Sequence, residues 1–130
     1  MGKKVLIVDD DADIRTFEAS VVENNGYTPI IAVNGEEGIN KIRAEKPDAI
    51  ILDILMPKES GIKMYREVKT DPKLSDIPVI ILSGIAKRTF IRSQKALEEF
   101  EGQTVPEPEA YLEKPVEPED LAATLNKFLA

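Results

Sequence analysis

The chain has 130 residues, 17 Lys and Arg against 24 Asp and Glu for a net charge of −7, and neither cysteine nor histidine. That length suits one compact domain with one buried core over residues 1–130, and the missing side chains exclude disulfides, thiolate metal sites and imidazole catalysis. The acidic balance argues against direct nucleic-acid or membrane partners, so chemistry is left to carboxylates, hydroxyls and amines.

Val5 to Val8 is an apolar, β-branched run that reads as a first strand and stops at Asp9, Asp10 and Asp11. It lacks the length and cleavage pattern of a secretory leader, and no apolar run approaches the roughly 20 residues needed to span a bilayer, so a cytoplasmic location is expected. Ile14, Phe17, Val21 and Val22 fall on one stripe of a first helix, with Asp11 or Asp13 available to cap its start and Gly26 suited to its end. Ile30 to Val33 reads as the second strand. Asn34 with Glu37 then resembles a capping box opening a second helix.

Ala49 to Leu52 is the third strand and leads into Asp53. A third helix is expected from Gly61 to about Thr70, and Val79 to Leu82 is a fourth strand ending at Ser83. A fourth helix falls within Ala86 to Phe100. It carries Arg88, Arg92 and Lys95 at helical spacing, either a solvated face or a docking surface for an acidic partner. The segment Glu101 to Glu109, EGQTVPEPE, reads as an exposed acidic loop. Ala110 to Leu112 is a weaker fifth strand, followed by Lys114. Pro118 suits the first turn of a last helix whose stripe is Leu121, Leu125, Phe128 and Leu129.

Short strands that are apolar on consecutive residues belong to a parallel sheet buried on both faces, and five β-α repeats with right-handed crossovers place the site at the strands' carboxyl ends. Asp9, Asp10, Asp53, Ser83 and Lys114 all fall at that edge. Clustered carboxylates repel one another unless a hard cation compensates, and oxygen ligands suit Mg²⁺ or Mn²⁺.

The fragments VLIVDDD at Val5 to Asp11, IILDILMP at Ile50 to Pro57 with Gly61 beyond, VIILSG at Val79 to Gly84 and YLEKP at Tyr111 to Pro115 occur in order over nearly the whole chain. Together they resemble the receiver domain of bacterial two-component response regulators. The resemblance implies an α/β, flavodoxin-like (βα)5 fold with strand order 2-1-3-4-5. It implies Asp53 as phosphoacceptor, with Ser83 and Lys114 contacting the phosphoryl group. Asp10, Asp53 and the Leu55 main-chain carbonyl would be direct metal ligands, and Asp9 would act partly through water. Ser83 and Tyr111 would be the switch pair, Pro115 would follow a cis bond, and the donor would be a histidine kinase or a histidine phosphotransfer protein. A signalling switch rather than an enzyme is expected, acting alone or as one domain of a longer chain.

Three departures from the usual family pattern stand out. Ser83-Gly84 replaces the commoner Thr-Ala, retaining the hydroxyl and leaving room for the phosphoryl group. Leu55 and Ile85 are apolar and would not orient an attacking water, so a long-lived acyl phosphate is expected. Ser83 and Lys114 lie 31 positions apart, longer than usual, which points to a remodelled fourth helix and signalling face.

A pseudo-receiver that signals without phosphorylation is the alternative, disfavoured by the complete set of Asp9, Asp10, Asp53, Ser83 and Lys114. A haloacid-dehalogenase-type phosphatase would need an aspartate where Leu55 stands. Flavin phosphate would be repelled by Asp9 to Asp13.

Overall fold

The computed structural model describes residues 2–130 apart from the side chain of residue 59. Five strands, β1 (Lys4–Val8), β2 (Thr28–Ala32), β3 (Ala49–Leu52), β4 (Val79–Ser83) and β5 (Ala110–Glu113), alternate with five helices: α1 (Ala12–Asn24), α2 (Gly35–Glu45), α3 (Ser60–Thr70), α4 (Lys87–Glu101) and α5 (Pro118–Leu129). All strands are parallel and lie in the order β2-β1-β3-β4-β5, as expected.

The consecutive apolar residues of the central strands divide by parity between two cores. Leu6, Val8, Ile50, Leu52 and Ile81 face α2, α3 and α4, where Ile42, Met64, Tyr65, Val68 and Phe90 meet them. Val5, Ile7, Ile51, Ile80 and Leu82 face α1 and α5, against Val21, Val22, Leu121 and Leu125. Burial on both sides explains why these strands show no polar alternation.

Local chemistry marks the helix ends. Asp11, rather than Asp13, caps α1 by accepting from the Asp13 and Ile14 amides at 2.9 and 3.2 Å. Asn34 accepts from the Glu37 amide at 2.8 Å to open α2, Gly26 lies just past α1 with φ +84°, and Pro118 occupies the first turn of α5. The second strand begins two residues earlier than its sequence pattern and ends before Val33, whose side chain is exposed. Parallel pairing with β1 sets that boundary, from Lys4 opposite Thr28 to Val8 opposite Ala32.

The segment after α4 is a largely exposed acidic loop, as its composition suggests, but it is fastened to the domain. Val105 is buried in the α2–α3–α4 core, the Tyr65 hydroxyl donates to the Pro106 carbonyl, and Glu98 accepts from the Val105 amide. Glu109 accepts from Lys69 Nζ at 2.6 and 2.8 Å and from the Val79 amide at 2.7 Å. Lys69 is on α3 with its side chain 1% exposed, so this pair binds the strap 102–109 to both α3 and β4. Composition correctly gave a loop, but it could not report the buried lysine that one of its glutamates answers.

Removing Glu109, whose side chain is 32% exposed, strands the buried charge of Lys69, at up to about 3 kcal/mol. Glu109→Ala should therefore lower the unfolding free energy by up to about 3 kcal/mol in urea denaturation, whereas Glu107→Ala, an exposed neighbour, should change it by about 0.5 kcal/mol or less.

Candidate functional site

The sheet register brings the site together. Asp9 follows β1, and its amide donates to the Ala32 carbonyl at 3.2 Å. Asp53 follows β3, donating to the Val8 carbonyl at 3.0 Å. The Lys114 amide, after β5, donates to the carbonyl of Ser83, which ends β4, at 2.8 Å. Backbone bonds at the carboxyl edge thus hold each functional residue against its neighbour. Gly61 completes the crowding at this edge, because a Cβ there would collide with the Asp53 carbonyl and the Ile54 backbone.

Asp9, Asp10 and Asp53 each place a carboxylate oxygen within 4.8 Å of the others. Asp9 and Asp53 are buried and Asp10 is exposed, so the cluster opens on one side. One oxygen of Asp9 accepts from the Asp11 amide and one of Asp53 from the Leu55 amide, both at 2.9 Å. The other oxygen of each faces Lys114 Nζ, 3.2 Å from Asp53 and 3.5 Å from Asp9.

One ammonium against three carboxylates leaves an excess of negative charge. Burial pushes the Asp9 carboxyl above its ordinary range, partly offset by the Asp11 amide and Lys114. Burial also disfavours the Lys114 ammonium, but Asp53 and Asp9 outweigh it and hold that ammonium more firmly protonated than usual. An all-oxygen donor set with surplus negative charge fits a hard divalent cation.

Ser83 is fully buried, and its hydroxyl accepts from the Ile85 amide at 3.2 Å. The Tyr111 hydroxyl donates to the Ile85 carbonyl at 2.5 Å, and its ring lies 5.4 Å from that of Phe90 on α4. Burial raises the Tyr111 phenol, opposed by the nearby Ser83 hydroxyl. Ser83 and Tyr111 thus meet at one residue of the β4–α4 turn, Ile85, the first through its amide and the second through its carbonyl. A Cβ at Gly84 would meet no protein atom within 4 Å, so neighbouring atoms do not demand glycine there. The Lys114–Pro115 peptide is cis.

Two residues escaped the sequence reading. Glu113 reaches from β5 to accept from the Lys87 amide at 3.2 Å, capping α4, which has no side-chain cap of its own. Glu18 lies on the apolar stripe of α1 between Phe17 and Val21, and that misplaced charge was the available signal. It is 1% exposed, with one carboxyl oxygen lacking a partner among the described residues. Burial, reinforced by Asp9, pushes its pKa up from 4.5 to about 9.

The sequence model of the family described as "Response regulator receiver domain" matches residues 5–126. The chain is 34% identical to protein PilH of Pseudomonas aeruginosa, covering 98% of both chains. It is 35% identical to the phosphate regulon transcriptional regulatory protein PhoB of the same organism, covering 99% of this chain and 52% of PhoB. It spans 32% of the length of a probable transcriptional regulator of Guillardia theta and 37% of Escherichia coli PhoB. Among solved structures it is similar to the chemotaxis response regulator CheY4 of Vibrio cholerae, with a TM-score of 0.81 at 27% identity over 99% of this chain and 100% of that one. A receiver domain of a histidine kinase from Syntrophus aciditrophicus gives 0.82 at 28% identity over 98% and 90%.

Folded, Glu18 keeps its proton until about pH 9, whereas unfolded it ionises near 4.5. Between those values the unfolded chain holds fewer protons, so this residue lowers stability as pH rises, by on the order of 3 kcal/mol at pH 7. Glu18→Leu should therefore gain stability over the wild type by an amount that grows from about pH 5 to about pH 8, read from urea midpoints.

Proposed function

The chain belongs to the response regulator receiver domain family, the phosphoacceptor modules of two-component signalling, and on that premise we propose that Asp53 accepts the phosphoryl group from a partner phosphohistidine. Residues 1–130 form a single receiver domain in this reading. The observation that carries it is the convergence of Asp9, Asp10 and Asp53 within 4.8 Å, with Lys114 Nζ 3.2 Å from Asp53.

A carboxylate oxygen of Asp53 attacks phosphorus in line while the imidazole of the donor departs on the opposite side. Asp9, Asp10, Asp53 and the Leu55 main-chain carbonyl would hold a divalent cation such as Mg²⁺. When bound, that cation neutralises charge on the equatorial phosphoryl oxygens. Lys114 is a preplaced positive charge for another of those oxygens, and its elevated pKa keeps it charged throughout the neutral range. The Ser83 hydroxyl, at the end of β4, donates to a third.

That last contact transmits the change. A Ser83 hydroxyl drawn to the phosphoryl group no longer accepts from the Ile85 amide, and Ile85 is also the residue whose carbonyl holds Tyr111. The turn before α4 loses one of its three side-chain anchors. Tyr111, its ring tilted against that of Phe90, follows it, and the start of α4 moves relative to β5. The donor is a histidine kinase or a histidine phosphotransfer protein, since the chain has no histidine of its own. It works as a switch rather than as a multiple-turnover enzyme, in a cytoplasmic setting. Among the described residues no helix is long and apolar enough to cross a membrane.

Incubation with acetyl phosphate and Mg²⁺ should add one phosphoryl mass to the wild type and none to Asp53→Asn. An equal gain by both, or by neither, would sink the assignment. Leu55 is 60% exposed beside the site and offers no hydrogen bond to an attacking water. Leu55→Asn should shorten the acyl phosphate lifetime about tenfold, followed by the decay of the phosphorylated mass.

A further inference from the structure

Helix α4 is charged against its own dipole. Lys87 and Arg88 stand in its first turn with no acid there, and Glu98, Glu99 and Glu101 stand near its end with no base in the last turn. Both arrangements oppose the positive and negative ends of the helix macrodipole. This charge order therefore does not serve the helix in isolation.

On its outer side Lys87, Arg88, Ile91, Arg92 and Lys95 line an open groove of about 540 Å³. None of these four cations makes an ion pair among the described residues, although the chain carries a net charge of −7. Glu113, which reaches the start of the helix, is occupied with the Lys87 amide.

The groove continues into a second hollow. Ile91 and Lys95 also line a cleft of about 280 Å³ between α3, α4 and the strap, where Tyr65, Phe90 and Val105 supply apolar wall. Gln94 belongs to the same wall. It is 6% exposed, and its Nε2 has no partner, while its Oε1 accepts from Arg66. A cationic strip leading into an apolar hollow is complementary to an acidic segment that carries one large apolar side chain.

We propose that the outer face of α4 and the cleft beneath the strap form one docking groove for an acidic segment of a partner protein, with the partner's anions over Arg88, Arg92 and Lys95 and an apolar anchor beside Ile91. This names the partner chemistry of the switch face and so rests on the receiver reading. A nucleic acid fits less well, because a continuous phosphate backbone would run past Glu98 and Glu107 at the cleft. A peptide segment instead places its anions over the cationic strip and an apolar side chain in the cleft. The strap, tied down by the Lys69–Glu109 pair, gives the groove a wall that a shorter α4–β5 connection would lack.

The probe is a short fluorescent peptide of Glu and Asp with one central Phe, titrated by polarisation against the full chain with and without acetyl phosphate and Mg²⁺. The double variant Arg88→Glu/Arg92→Glu should bind it about tenfold or more weakly, and replacing the peptide's Phe with Ala should cost about fivefold. Both substitutions lie on the exposed side of α4, and the folded state of the variant is checked by circular dichroism. Its Asp53 phosphorylation, read by intact mass, should match the wild type. Loss of phosphorylation in the wild type would break the receiver reading. Intact phosphorylation with peptide affinity unchanged by charge reversal would break the docking proposal alone. Equal or tighter binding of a single-stranded oligonucleotide, or charge-dependent self-association in sedimentation, would overturn it in favour of those occupants.

Discussion

The ammonium of Lys114, suspended between Asp53 and Asp9, is the contact on which the site depends. Three carboxylates gathered within 4.8 Å repel one another, and one positive charge does not balance them. The sheet bears that cost. Amide hydrogen bonds from Asp9 to Ala32, Asp53 to Val8 and Lys114 to Ser83 fix the backbone at the ends of all five strands, and the two hydrophobic cores keep those strands from spreading. The resulting surplus of negative charge is what makes the edge receptive to a divalent cation.

The neighbourhood beneath the site reinforces the same electrostatics. Glu18, an acid on an apolar stripe, is kept protonated by burial and by the negative charge of Asp9. An ionised Glu18 would add a further charge to a cluster already in excess. Its protonated state confines the charged chemistry to the rim.

Around this rigid edge the β4–α4 turn is held by a few separable contacts: Ser83 to the Ile85 amide, Tyr111 to the Ile85 carbonyl and Glu113 to the Lys87 amide. Each is a single hydrogen bond, of the order of 1 kcal/mol, so under the proposed function a phosphoryl group competing for the Ser83 hydroxyl would work against a small resistance. The far end of α4 is anchored differently. Arg66 joins α3 to Gln94 and Glu101, and the strap is fastened through Lys69 and Glu109. A helix loosely held at its start and firmly held at its end is suited to pivoting rather than to unfolding.

The α/β architecture was legible because parity hides nothing when both faces of a strand are buried: Val5 to Val8, Ala49 to Leu52 and Val79 to Leu82 announce central parallel strands by being apolar throughout. The site was legible for a related reason, since polar residues at the carboxyl ends of such strands converge whatever the details of packing. Strand order brings Asp53 and Lys114, 61 positions apart, to the same edge, and the folded chain closes their side chains to 3.2 Å.

What tertiary structure decided were contacts with no local signature. Nothing in EGQTVPEPE distinguishes Glu109, which closes on a buried lysine, from exposed Glu107, and Glu113 becomes the cap of α4 only because β5 lies beside it. The same holds for Glu18, whose charged neighbours Asp9, Lys114 and Asp53 lie just past β1, β5 and β3 rather than on α1. Periodicity and strand-end chemistry are properties of a segment, so the sequence determined the sheet and its reactive edge. The partner of a buried charge is a property of the packed whole, so only the folded chain could name it.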